Sequence, residues 1–64
     1  MKSIIAQLRD FLAEEEKADE EYSDAIAAAK SKGDVASEMT LRSILLDERK
    51  HAKLIRELLN RVDK

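Results

Sequence analysis

One glycine governs what this chain can become. Gly33 is the only glycine in 64 residues, and there is no proline. Between residues 3 and 63 no other residue carries a strong signal to break a helix. Ala, Leu, Glu, Lys and Arg dominate the rest, and these are strong helix formers. Ser3 is a suitable N-cap for a first helix. Lys30 and Lys32 put cations in its last turn, where they suit the helix dipole. Gly33 then sits where a left-handed C-terminal cap is wanted, and Asp34 where the next helix needs an N-cap. The expectation is an all-α chain folded as one antiparallel hairpin over residues 1–64, with a helix over about 3–31, a turn at 31–34 and a helix over about 35–62.

Apolar residues recur at helical spacing in both segments. The first stripe runs through Ile4, Ile5, Leu8, Phe11, Leu12, Ala18, Tyr22, Ala25, Ile26 and Ala29. The second runs through Val35, Met39, Leu41, Ile44, Leu45, Ala52, Leu54, Ile55, Leu58, Leu59 and Val62. Met39 reads as core packing. With 44% hydrophobic residues and this periodicity, the 41% charged fraction describes solvated helix faces and not disorder.

Two packed helices share one seam, and both stripes are wider than a seam. Pairs such as Ile4/Ile5, Leu45/Leu46 and Leu58/Leu59 would leave apolar surface wet in a lone hairpin. A chain this short buries only about 60% of its unfolded surface. Two hairpins packed together make a four-helix bundle that covers both stripes. The expected folded unit is therefore a homodimer, or an assembly of dimers.

Several function classes fall away on composition. Without cysteine there is no disulfide framework, zinc finger or cysteine-ligated iron–sulfur centre. A net charge of −2 and two aromatics, Phe11 and Tyr22, offer neither a basic patch nor a stacking platform for nucleic acid. No apolar run is long enough to span a bilayer or to form a signal-peptide core, so the default location is cytoplasmic.

The polar residues inside the stripes need explaining. Glu48 and His51 are three apart, on one face of the second helix, in the gap between Leu45 and Ile55. Glu15 interrupts the first stripe. In an antiparallel hairpin turning at Lys32 and Gly33, Glu15 falls level with Glu48 and His51 to within about one helical turn. Each alone has a plainer reading. Glu15 reads as a stripe-edge residue reaching water, and His51 as a half-buried side chain bonded to Asp47. Together they are a metal-ligand set, and two chains would supply four Glu and two His to one layer. Bundle proteins that hold two irons or two manganese ions use a Glu from each of two helices and Glu-x-x-His from each of the other two. Hard carboxylates neutralise two divalent cations, and imidazole completes each while leaving positions open. Asp19, Asp47 and, closer to the turn, Glu38 could support the ligands or line an entry, and read first as solvated.

Glu15, Tyr22 seven residues later, and Glu48-x-x-His51 resemble the first helix pair of the ferritin-like superfamily, with spacing closest to rubrerythrin-type proteins, over roughly residues 4–60. The resemblance implies a di-iron carboxylate centre, with two iron (or manganese) ions per dimer. It also implies ferroxidase-type oxidation of iron(II) by oxygen or peroxide. Glu15, Glu48 and His51 would be the ligands, with bridging Glu48. Tyr22 would be a catalytic-layer residue donating to a ligand carboxylate, or a core aromatic. Members of the superfamily usually carry two such hairpins in one chain, and this chain has one. It is similar in that respect to half-length encapsulated ferritins, in which two chains complete the site. An obvious tail for docking into a shell is missing, so an encapsulating shell is not inferred. There is no cysteine-rich rubredoxin domain, so a full peroxidase cycle would need a separate electron donor. The rival expectation is a metal-free helical hairpin acting as a dimerisation or interaction module.

Overall fold

A computed structural model describes residues 3–63. Two helices account for nearly all of them: α1, Ile4–Ser31, and α2, Val35–Val62, with no strand among the described residues. They pack antiparallel along their whole length, so the chain is a helical hairpin with extents of 47 × 18 × 14 Å.

Local chemistry explains where each helix starts and stops. The Ala6 N–H donates to Ser3 Oγ at 3.2 Å, which satisfies one of the donors that open α1. At the other end Gly33 takes φ 71°, a conformation that an L side chain rarely adopts. That twist lets the Gly33 N–H donate to the Lys30 carbonyl (3.0 Å) and the Asp34 N–H to the Ala29 carbonyl (2.9 Å). The pair of bonds is a Schellman cap. Asp34 serves the next helix at once: its Oδ1 accepts from the Ser37 N–H at 3.1 Å and its Oδ2 from the Ser37 hydroxyl at 2.6 Å. These bonds, the hydroxyl's first, hold the Asp34 carboxyl below its usual range. The turn is thus three residues long and closed by hydrogen bonds on both sides.

The seam follows a seven-residue repeat. From α1 it takes Leu8, Leu12, Glu15, Asp19, Tyr22, Ile26 and Ala29, all buried or half-buried. From α2 it takes Glu38, Leu41, Leu45, Glu48, Ala52, Ile55, Leu59 and Val62, likewise. Alternating steps of three and four residues give the 3.5-residue period of coiled-coil packing. One flank of this seam is laced by ion pairs between the helices: Arg9–Asp63 at 3.7 Å, Glu16–Arg56 at 3.7 Å and Asp19–Arg49 at 2.7 Å. The opposite flank carries Ile4 and Phe11 from α1 and Leu54 from α2, which are 57%, 51% and 61% exposed.

The core is small. Only Leu8, Ile26, Ala29, Leu45 and Ala52 are buried among the described residues, and none of their side chains is fully enclosed. The chain exposes 5009 Å², about 800 Å² more than a compact folded chain of its 7.3 kDa. Its radius of gyration is 14.7 Å, against about 11 Å for a compact domain of this length. Met39, read from its spacing as core, is 65% exposed, and Val35 and Leu46 share its fate. They fall on the outer face of α2, because a wide apolar stripe on a 3.6-residue helix outruns the one seam that a hairpin offers.

Candidate metal centre

Glu15, Glu48 and His51 meet at mid-hairpin. Each offers one ligand atom, and these atoms lie within 4.8 Å of one another. Their positions follow from the repeat. Glu15 and Glu48 occupy seam positions, so packing the helices brings the carboxyls face to face and half-buries both. His51 lies one step off the seam, on the flank opposite the three ion pairs, and is exposed. The spacing had placed all three on the core stripes; only the two glutamates are in the seam.

Glu15 is under electrostatic stress. A hydrogen bond between its carboxyl and that of Glu48 is the largest influence raising its pKa above the usual 4.5. Burial and the Glu48 charge push the same way, and the His51 charge opposes them. Its Oε2 is buried with no hydrogen-bond partner. A buried acceptor left unpaired costs about 1–3 kcal/mol. The layer as folded therefore disfavours two charged carboxylates and has a lone pair to spare. Both conditions are relieved by a cation.

The donor chemistry fits a divalent transition metal. Two carboxylate oxygens and one imidazole nitrogen are a set shared by iron, manganese and zinc sites, and three donors leave positions open. A groove of about 500 Å³ on the ion-paired flank reaches both carboxyls; its walls include Asp19, Arg49 and Arg56.

The structure does not bring every candidate to this point. Tyr22 is half-buried in the seam, about 10 Å along α1 from Glu15 toward the turn, and stands outside the donor cluster. Asp19, read as solvated, instead accepts from Arg49 Nε at 2.7 Å and from Nη2 at 3.4 Å. Arg49 holds the Asp19 carboxyl below its ordinary range. Arg49 has no acid three or four residues away on its own helix. Its position beside the seam, seven residues before Arg56, is the signal that it bridges to α1 instead. Glu38 is half-buried and pairs with Arg42 at 2.9 Å, one turn on.

Two comparisons found nothing: no curated protein and no solved structure matches the chain. A third did. The family model described as ferritin-like domain matches residues 1–64.

Proposed function

We propose, from the premise that this chain belongs to the ferritin-like domain family, that it is a di-iron carboxylate protein whose site is shared across a homodimer. The observation that carries this reading is the convergence of Glu15, Glu48 and His51 within 4.8 Å at mid-hairpin. The family match and the carboxylate/His group point to iron. One chain offers three donors, too few to enclose two cations. Two chains offer four carboxylates and two imidazoles, the set that bundle proteins use for a two-metal site. Iron(II) is the substrate: it loses an electron, and oxygen or peroxide is reduced.

Each residue has a task in this scheme. Glu15 would give up the proton that the facing Glu48 carboxyl favours, and both carboxylates would offset the cation's charge. Glu15 and Glu48 would supply the carboxylate ligands that hold the cations. His51 supplies the neutral nitrogen donor, which a lone pair on either ring atom provides. Tyr22 remains in the seam as a group that supports the layer at a distance. A resemblance to rubrerythrin-type and half-length encapsulated ferritins sets the expectation for the reaction class.

The test is an anaerobic titration with iron(II), followed by admission of oxygen. Saturation near one iron per chain, with near-ultraviolet absorbance developing after oxygen, supports the shared site. Loss of both in His51→Leu assigns them to this layer. Absence of binding by the unaltered chain would leave a metal-free interaction module as the better account.

A further inference from the structure

We infer that Asp19 is a positioning residue for the carboxylate layer: it holds the Arg49 guanidinium away from Glu15 and Glu48, so that those carboxyls stay open to a cation. The inference rests on the proposed reading of that layer as a metal centre.

A guanidinium and two facing carboxyls share one groove. Glu15, Asp19, Glu48 and Arg49 all line the groove of about 500 Å³ on the ion-paired flank. Arg49 follows Glu48 directly in the chain. Counted from the turn, it stands level with the part of α1 between Glu15 and Asp19, which are one helical turn apart. An arginine carries five N–H donors and no acceptor. Glu15 has an oxygen, Oε2, that is buried and accepts from nothing. The guanidinium nevertheless donates elsewhere: Nε to Asp19 Oδ2 at 2.7 Å and Nη2 to Asp19 Oδ1 at 3.4 Å.

Two features favour Asp19 as the acceptor. Side chains on a helix tilt toward its N-terminus, and along α2 that direction leads from the level of Glu15 to that of Asp19. Asp19 also occupies a seam position, with its side chain 37% exposed against 56% for Arg49, so packing fixes the acid and the arginine comes to it. What the bond prevents is a competition for the same lone pairs. A guanidinium on Glu15 or Glu48 would occupy the oxygens that a cation needs and cancel the charge that draws it. A second arginine of the groove, Arg56, is matched in the same way by Glu16, at 3.7 Å. The plainer role for the Asp19–Arg49 bond is a clasp between the helices. The two roles separate cleanly: in a clasp the partners are equivalent, whereas here the acid protects the layer and the arginine threatens it.

Calorimetric titration with zinc(II), which is redox-inert and suits two carboxylates and an imidazole, tests this. The chains compared are the unaltered protein, Asp19→Ala, Arg49→Gln and the double variant; all three variants lose the ion pair. Asp19→Ala should bind zinc about tenfold more weakly, because the released guanidinium competes through a charge-assisted hydrogen bond. Arg49→Gln should bind at least as tightly as the unaltered chain, and the double variant should recover the unaltered affinity. Equal losses in all three would assign the bond to clasping alone and overturn the inference, as would unchanged binding by Asp19→Ala. Asp19→Asn, which keeps the shape of the seam residue, makes the same comparison should the alanine variant not fold. A crystal structure of Asp19→Ala grown in chelator reads the displacement without metal. Arg49 should lie within hydrogen-bond distance of Glu15 or Glu48, and an Arg49 turned to solvent would overturn the inference. An unaltered chain that takes up no zinc would overturn the metal reading, with the chelator crystal still deciding where Arg49 goes.

Discussion

Replacing Glu15 with Leu should stabilise the metal-free protein while abolishing its proposed use. Glu15 is half-buried in the seam, faces Glu48, and leaves Oε2 buried and unpaired. A half-buried leucine there adds about 1 kcal/mol of apolar burial. Removing the unpaired oxygen relieves part of a cost of about 1–3 kcal/mol. The expected gain is about 1–3 kcal/mol in all. For a chain of this length each kcal/mol moves Tm by about 7 °C, so Glu15→Leu should melt about 7–20 °C higher at the same protein concentration. The pH dependence carries a separate signature. The folded-state pKa of Glu15 is raised, first by its hydrogen bond with Glu48 and then by burial. The folded chain therefore binds this proton more tightly than the unfolded one, and stability falls as pH rises from the usual 4.5 through the raised value. Thermal melts followed by circular dichroism from pH 4 upward, in chelator, read both effects. The advantage of Glu15→Leu over the unaltered chain should widen with pH across that window. A Glu15→Leu chain that melts lower, or an advantage that does not change with pH, would refute the account of a strained carboxylate layer.

Other perturbations follow from the same geometry. Gly33→Ala should cost about 1 kcal/mol, read by denaturant melts, because φ 71° strains any L side chain although a Cβ there meets nothing within 4 Å. Reversing one charge of the Asp19–Arg49 pair should lower Tm, and reversing both should restore it, since the bond needs opposite signs and not a particular helix for each. The pair's contribution should be present above Asp19's usual 3.8 and fade as pH falls through its lowered value. Iron(II) at about a hundred times its dissociation constant should stabilise the chain by about 2.7 kcal/mol under anaerobic conditions. His51→Leu should lose that gain and be neutral or stabilising in chelator, because His51 is exposed on the hairpin and lies outside the seam.

The hairpin was legible because its signals are local. A lone glycine between two lysines and an aspartate specifies a helix end and a helix start within four residues, and the cap forms from them. The level of Glu15 with Glu48 and His51 was legible by counting away from that turn. What spacing left open is which residues of a wide stripe form the seam. An ideal helix drifts by about 20° per seven residues against the seam's repeat. Small differences in register therefore separate half-buried Glu48 from exposed His51, and Leu45 from exposed Met39 and Leu46. The Asp19–Arg49 bridge was hidden for the same reason, since which acid of α1 comes within reach of Arg49 depends on where the seam falls. No described helix is long and apolar enough to cross a membrane, as the short apolar runs suggested.

The central claim is that Glu15, Glu48 and His51 of two chains hold iron together. Anomalous diffraction at the iron edge, from crystals grown after anaerobic iron(II) loading, reads it directly. The account predicts two peaks per pair of chains, each at coordination distance from Glu15, Glu48 and His51. Peaks elsewhere, or full loading of a lone hairpin with no second chain at the site, would contradict it.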